Sequence, residues 1–210
     1  MSNFINHHTI GFEVSLFGLD HPTFALPERH FVNQHRMQPP FPLRMDVIFL
    51  GMGCFWGAER LFWQRKGVWV TAAGYMGGHT AYPVYEEVCS GKTGHAEVVM
   101  IVFDPAAITC KSIVNLFFEQ HDPTQGWRQG NDTGSQYRSV IYTSAEQQQT
   151  TAQQQRSACQ RALTAMNKGT ITTEISRATC FYYAEPFHQQ YLAKYPTGYC
   201  GLSGTGIVME

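Results

Sequence analysis

Residues 46–57 decide the fold, and they read Asp46-Val47-Ile48-Phe49-Leu50-Gly51-Met52-Gly53-Cys54-Phe55-Trp56-Gly57. Val47 to Leu50 form a continuous apolar run, which is typical of a strand buried on both faces. Gly51-Met52-Gly53 ends that run, and the residues from Cys54 onward have a helical composition that stops near Gly67. The stretch therefore predicts a strand, a glycine turn and a helix, with Cys54 in the first helical turn.

The rest of the chain alternates in the same way between short β-prone runs and amphipathic segments. Further strands are predicted over 68–73, 95–103, 136–143 and 171–175, and further helices over 112–120, 144–167 and 186–195. Ser144-Ala145-Glu146-Gln147 has the pattern of a capping box that opens the long helix. Glycine-rich loops are expected at 74–85 and 121–135. We predict an α/β (α+β) two-layer sandwich: a mixed β-sheet with flanking helices and a long, irregular, glycine-rich C-terminal tail.

The chain is 210 residues long, which favours one large domain at about 150 residues per domain. Residues 1–44 contain five prolines and no helical or alternating period, so we expect an irregular N-terminal extension without a catalytic role, laid on the body or partly disordered. Residues 45–210 are predicted to form a single catalytic domain. Within it, residues 196–210 would be a mobile tail, because four glycines fall between 198 and 206.

Composition excludes several classes of function. Fifteen basic and sixteen acidic side chains give a formal net charge of -1, which argues against binding to nucleic acid or to an anionic membrane surface. No stretch approaches the roughly 20 apolar residues of a membrane span, and the N-terminus lacks a secretory signal, so a cytoplasmic protein is expected. No two cysteines have C-x-x-C spacing, so no metal site is predicted.

Cys54 is the most informative of the six cysteines, which lie at 54, 89, 110, 159, 180 and 200. Free amide groups and the helix dipole at the start of a helix would lower the pKa of its thiol. Phe55 and Trp56 follow directly, and two large aromatic side chains in a first turn suggest the lining of an apolar pocket. From position alone, a catalytic nucleophile and a buried structural thiol both remain open.

A nucleophile at Cys54 would need a proton donor or acceptor, and residues 94–97 offer two. His95 and Glu97 share one face of a strand because strand side chains alternate. A glutamate that leads into an apolar strand is often buried, which would raise its pKa and make it a proton donor near neutral pH; a salt-bridged edge residue is the alternative. A Cys54–His95 pair would instead suit acyl transfer, as in cysteine hydrolases.

Several blocks of the sequence resemble, in the same order, the A-type peptide methionine sulfoxide reductases (the MsrA family). The resemblance runs from about residue 46 to about residue 206. The blocks are Gly53-Cys54-Phe55-Trp56-Gly57, Gly74-Tyr75-Met76-Gly77-Gly78, Pro83-Val84-Tyr85, Gly94-His95-Ala96-Glu97-Val98, His121-Asp122-Pro123-Thr124, residues 130–139 and residues 185–192.

The resemblance implies a role for each matching residue. Cys54 would attack the sulfoxide sulfur, and Glu97 would protonate the sulfoxide oxygen. Tyr85 and Tyr137 would donate hydrogen bonds to that oxygen. Asp132 would hold water and substrate by accepting hydrogen bonds. Phe55 and Trp56 would form the apolar slot for the S-methyl group.

The resemblance also implies how the enzyme is regenerated. Cys200 matches the resolving cysteine, which would form a disulfide with oxidised Cys54 that thioredoxin reduces. Some members carry a second tail cysteine where this chain has Ile207-Val208, so thioredoxin would reduce Cys54–Cys200 directly. The expected substrates are free methionine sulfoxide and oxidised proteins, as the S epimer, in protein repair. No bound cofactor is expected, and the protein is expected to be a monomer.

Two other functions are alternatives to this one. The first is a cysteine hydrolase or acyltransferase that uses Cys54 and His95 and has no need of Cys200. The second is a redox-sensing or binding protein that forms disulfides without catalysis. The four remaining cysteines match no catalytic role and are expected to be buried or incidental thiols.

Overall fold

A computed structural model describes residues 18–209 of the chain. Its centre is a six-stranded sheet in the order β7-β6-β1-β3-β2-β8. The strands are β1 (Asp46–Met52), β2 (Val68–Met76), β3 (Ala96–Phe103), β6 (Ser139–Thr143), β7 (Glu174–Arg177) and β8 (Tyr182–Tyr183). Only β6 and β7 pair in parallel, so the sheet is mixed as predicted. A separate hairpin joins β4 (Arg128–Gln129) to β5 (Asp132–Thr133).

Helices cover one face of the sheet. The helices are α1 (Phe55–Trp63), α2 (Tyr85–Cys89), α3 (Cys110–Gln120), α4 (Glu146–Ala165) and α5 (Tyr191–Lys194), with a 3₁₀ turn at Ser135–Tyr137. Apolar side chains of α1, α3 and α4 pack in one cluster with Ile48, Leu50 and Met52 of β1. Val47 and Phe49 alternate to the opposite face and join a second cluster. The apolar run of β1 is therefore buried on both faces, which confirms the prediction.

Among residues 18–209, no helix contributes to the apolar cluster on the second face of the sheet. Met37 and Phe41, from the segment before β1, pack there with Phe181 and Tyr183. Residues 18–44 contain no helix, and their only pairing is an isolated bridge between Arg29 and Arg36. This described part of the extension is therefore irregular, and it lies on the body. Residues 1–17, about which the same prediction was made, lie outside the described residues.

Several local predictions were wrong in detail: β6 begins at Ser139, after the 3₁₀ turn, instead of at 136, β2 runs on to Met76, and three further differences follow. Ser144 is not a capping residue, because α4 starts after Ala145 and the Ser144 hydroxyl instead donates to the carbonyl oxygen of Val47 at 2.7 Å. The strand predicted at 171–175 begins only at Glu174, where its pairing with β6 begins. The helix predicted over 186–195 is limited to α5, because Gln190 has a left-handed backbone that interrupts it. For β7 and α5, the boundary coincides with a contact to residues distant in sequence.

The C-terminal tail is irregular and lies against the body. Residues 196–209 contain no helix or strand. The Gln129 side chain donates to the carbonyl oxygens of Gly201 and Ser203, and Ile207 is buried in the cluster beneath the helices. The backbone of Met209 donates to Glu119 at 2.7 Å. Among the described residues, no helix is both long and apolar enough to cross a membrane.

Candidate active site

Cys54 lies where β1 turns into α1. It is the residue immediately before the helix, and it is half-buried. Gly53 has a φ of 86°, a left-handed conformation that favours glycine, and a Cβ there would lie 2.4 Å from the side chain of Gln129. The turn therefore depends on Gly53, both for its backbone conformation and for the close packing of the β4–β5 hairpin.

The side chain of Glu97 binds the first backbone N–H group of α1. Glu97 is on β3, which lies next to β1 in the sheet, and its Oε2 accepts a hydrogen bond from the backbone N–H of Phe55 at 3.0 Å. The side chain is only 1% exposed, and burial raises the pKa of its carboxyl to about 8 although the Phe55 hydrogen bond opposes that change. Glu97 is therefore mostly protonated at pH 7, as the sequence predicted for a buried strand glutamate.

The thiol of Cys54 does not have the low pKa that its helix position predicted. Burial raises its pKa, and the neighbouring Glu97 raises it further, while a backbone hydrogen bond from Trp56 acts in the opposite direction. The helix start does stabilise a thiolate, but desolvation and nearby carboxyl groups outweigh it. In the free protein, the site therefore holds a thiol beside a protonated carboxyl group.

Two tyrosine phenols lie beside this pair. Tyr85 starts α2, and its backbone N–H donates to the Glu185 carboxylate at 2.7 Å. Tyr137 comes from the 3₁₀ turn, and its phenol is close enough to that of Tyr85 for the two to affect each other's ionisation. Burial and the proximity of Glu97 raise the pKa of both phenols. Both are therefore neutral and can donate hydrogen bonds.

Phe55 and Trp56 differ in their exposure. Phe55, which was expected to line an apolar pocket with Trp56, is 1% exposed and packs against Tyr75 and His188. Trp56 is half-buried, and its indole lies parallel to the ring of Tyr191 at 3.9 Å. Its Nε1–H donates to Nδ1 of His188 at 3.1 Å.

His188 was not singled out from the sequence. It is 1% exposed, and its ring contacts those of Phe55, Trp56 and Tyr85. Because Nδ1 accepts from Trp56, the neutral ring carries its proton on Nε2. Burial lowers its pKa to about 4, so the ring is neutral at pH 7. It lies inside a block that the family resemblance includes, and that was the one signal available.

Asp132 and Cys200 both lie near Cys54, although they belong to different parts of the chain. Both lie close enough to Cys54 to influence its ionisation. Asp132 is on β5, and its Oδ2 accepts from the hydroxyl of Tyr199 at 3.1 Å. Cys200 follows Tyr199 in the tail. The structure thus brings together the site residues that the family resemblance named, together with Gln129 and Tyr199, which it did not name.

His95 is not placed to act as a base. Its Nδ1 accepts from the backbone N–H of Gly78 at 3.0 Å, and its Nε2 donates to the carbonyl oxygen of Thr80 at 2.8 Å. Burial lowers its pKa to about 4. Because both ring nitrogens are bound to backbone groups, His95 has a structural role, and a Cys54–His95 pair has no geometric support.

The four remaining cysteines, which were expected to be buried or incidental thiols, differ in their exposure. Cys159 is buried and Cys110 is half-buried, whereas Cys89 and Cys180 are exposed. Cys89 lies one helical turn from Tyr85, and the two side chains are close enough to affect each other's ionisation. All six are free thiols in the structure. Within residues 18–209, no group of three or more metal-ligating side chains comes together.

Comparison with known proteins decides the family. The family model described as Peptide methionine sulfoxide reductase matches residues 46–207, from β1 to the end of the tail. The chain belongs to this family. As a peptide methionine sulfoxide reductase of the A type it is an oxidoreductase, and the hydrolase and the non-enzymatic alternatives are not supported.

Several relatives align with most of this chain, and the chain covers most of each relative. The chain is 58% identical over 87% of its length to Peptide methionine sulfoxide reductase MsrA of Agrobacterium fabrum, of which it covers 85%. It is 55% identical over 86% of its length to MsrA 1 of Caulobacter vibrioides, of which it covers 83%. Among solved structures, methionine sulfoxide reductase A of Corynebacterium diphtheriae matches with a TM-score of 0.85 at 43% identity, covering 91% of this chain and 92% of that one. The predicted fold class is thereby confirmed.

Proposed function

We propose that the reductase uses Cys54 and Glu97 to reduce methionine S-sulfoxide, free and in proteins, to methionine. One observation supports this assignment: the half-buried thiol of Cys54, directly before α1, and the buried carboxyl group of Glu97, on β3 and protonated at pH 7, meet at the start of α1. A sulfoxide oxygen must gain a proton as its bond to sulfur breaks, and Glu97 is a proton donor at the required place.

The first step transfers oxygen from substrate to enzyme. Glu97 donates its proton to the sulfoxide oxygen, and its carboxylate then accepts the thiol proton of Cys54 as the Cys54 sulfur attacks the substrate sulfur. The protonated oxygen then passes from the substrate sulfur to the Cys54 sulfur: the S–O bond of the substrate and the transient bond between the two sulfurs break, a new S–O bond forms on Cys54, methionine leaves, and Cys54 becomes a sulfenic acid. The substrate sulfur is reduced and the Cys54 sulfur is oxidised. Because Glu97 regains a proton, the step does not require the thiolate that the raised pKa of Cys54 disfavours.

The surrounding side chains would orient the substrate. Tyr85 and Tyr137 are neutral phenols that can donate to the sulfoxide oxygen. The S-methyl group would lie against Trp56 and Phe55, with His188 fixing the indole through its Nε1–H. Asp132, held by Tyr199, would accept hydrogen bonds from substrate or water.

Cys200 would complete the cycle. Its thiol attacks the sulfenic sulfur of Cys54, an S–S bond forms, and the oxygen leaves as water. Thioredoxin would then reduce the Cys54–Cys200 disulfide and restore two thiols, so no bound cofactor takes part. This role is supported by the position of Cys200 beside the first turn of α1.

The protein as a whole is expected to be a cytoplasmic monomer that repairs oxidised proteins. We also expect residues 45–210 to act as one catalytic domain, in which the tail from residue 196 moves during the cycle.

The proposed function is tested with a peptide that contains methionine sulfoxide, supplied as separate epimers with thioredoxin, thioredoxin reductase and NADPH. Methionine should form from the S epimer with matching loss of NADPH, and Cys54→Ser should form none. A Cys180→Ser variant is the control for loss of an exposed thiol and should keep wild-type turnover. No methionine from wild-type protein would disprove the proposal.

A further inference from the structure

Gly57 lies in an unusual environment for a helical glycine. It is inside α1, where any residue can adopt the backbone conformation and where glycine is one of the weakest helix formers. It is three positions after Cys54, on the same side of the helix. A Cβ at Gly57 would lie 2.8 Å from Sγ of Cys200 and 3.2 Å from Cβ of Leu202. The conformation of α1 does not require this glycine, but the approach of the tail does.

In this structure, contacts on both sides of Cys200 hold the tail against Gly57. Before Cys200, the hydroxyl of Tyr199 donates to Asp132 at 3.1 Å. After it, Gln129 donates to the carbonyl oxygens of Gly201 and Ser203 at 3.4 and 3.2 Å. A methyl group at Gly57 would therefore displace the Cys200 sulfur or break one of these contacts.

We infer that Gly57 is a positioning residue for the resolving step: its missing side chain forms a notch that holds the Cys200 thiol within reach of oxidised Cys54. This inference rests on the proposed function. The step that it serves is Cys54–SOH + Cys200–SH → Cys54–S–S–Cys200 + H₂O, in which the S–O bond breaks and the S–S bond forms. The notch takes no part in the first step, because Gly57 contributes no group to the sulfoxide.

The test separates the two steps in single-turnover experiments. Reduced wild-type and Gly57→Ala proteins are mixed with excess methionine sulfoxide peptide, without thioredoxin, and quenched at intervals. Methionine is measured by chromatography, and the sulfenic acid and the disulfide by trapping with dimedone and mass spectrometry. Both proteins should release methionine at the same rate. In Gly57→Ala the sulfenic acid should persist about tenfold longer, since a small misplacement of a reacting group slows its reaction strongly.

Two further variants show whether crowding is the cause. Gly57→Val should delay the disulfide more than Gly57→Ala does, because the larger side chain displaces Cys200 further. Leu202→Ala removes a tail contact without filling the notch and should resolve nearly as fast as wild type. The midpoint temperature of thermal unfolding of Gly57→Ala should not be lower than that of wild type, because alanine is a better helix former than glycine.

The outcomes are distinct from those for the proposed function. If wild-type protein forms no methionine, the proposed function fails. If Gly57→Ala forms the disulfide as fast as wild type, or loses the methionine burst to the same degree as the disulfide, the positioning role is wrong. Should the variant not fold, a short bifunctional thiol reagent applied to reduced wild-type protein decides, because it should join Cys54 to Cys200; no such crosslink would overturn the inference.

Discussion

Replacing Glu97 by glutamine tests the proposed first step most directly. The glutamine side chain keeps the size of Glu97, and its carbonyl oxygen can still accept from the N–H of Phe55, so the start of α1 is retained. It has no proton to donate. Loss of a general acid slows a reaction by roughly 10²–10⁴-fold, so methionine formation should fall by that factor.

The same substitution should remove a pH dependence. The pKa of Glu97 is raised to about 8, so its carboxyl group is protonated below that pH and charged above it. The first step in wild-type protein should therefore slow about tenfold for each pH unit above about 8. A glutamine side chain does not titrate, so the Glu97→Gln variant should show no break near that pH.

Stability should change with pH in the same region. The carboxyl group has an ordinary pKa of 4.5, and about 8 in the folded protein. Between these values the folded state binds more protons than the unfolded state, so stability falls as the pH rises and levels off above about 8. The whole difference corresponds to about 5 kcal/mol, at about 1.4 kcal/mol for each pKa unit. About 1 kcal/mol of it is already lost at pH 5, so wild type should lose about 4 kcal/mol relative to Glu97→Gln between about pH 5 and about pH 9.

The rate of methionine formation is measured by rapid quench. The free energy of unfolding is measured in urea at about pH 5 and about pH 9. Glu86→Gln is the matched control, since it makes the same chemical change at an exposed position of α2 and should alter neither quantity. Methionine formation within about threefold of wild type in Glu97→Gln would refute the assignment of the proton donor. Equal pH dependence of unfolding in the two proteins would refute the raised pKa.

Three further outcomes are expected. Cys200→Ser should release a single methionine per chain in the thioredoxin system and then accumulate Cys54 sulfenic acid, detected as a dimedone adduct; continued turnover at the wild-type rate would contradict the role of Cys200. Trp56→Leu loses both the hydrogen bond to His188 and the stacking on the Tyr191 ring. The KM for a methionine sulfoxide peptide should therefore rise by about tenfold, while the S epimer stays preferred. An unchanged KM would show that Trp56 does not line the substrate slot. Phe62→Ala leaves a cavity in the fully buried core between the helices and the sheet. The free energy of unfolding, measured in urea, should fall by about 3–5 kcal/mol. A loss below about 1 kcal/mol would be inconsistent with that packing.

Local pattern was sufficient for much of the fold. The strand–turn–helix unit from Asp46 to Trp63 is correct to within one or two residues, because an apolar run, a glycine turn and a helical segment are all short-range signals. The errors occurred where distant residues decide the outcome. Ser144 looked like a helix cap but bonds to Val47 of a neighbouring strand, and the left-handed Gln190 shortens the last helix because Glu59 binds it.

The site residues, like the fold, were predicted from the sequence only in part. The resemblance to a family named the nucleophile, the proton donor and the resolving cysteine, and these residues do lie together. It did not name Gln129 or Tyr199, which hold the tail, because their partners come from segments that sequence spacing does not connect. The thiol pKa was predicted in the wrong direction for the same reason: the helix start is a local feature, whereas Glu97 is 42 positions away from Phe55, whose amide it binds.

The sequence by itself determined which elements form and which reactive groups the chain carries, since backbone propensity and side-chain chemistry are properties of neighbouring residues. Only the tertiary structure decided the protonation state of those groups and the position of the resolving thiol. Desolvation depends on what surrounds a group in three dimensions, and burial in the sheet gives Glu97 its proton at neutral pH. In the same way, only packing of the tail on α1 shows that Gly57 leaves room for Cys200.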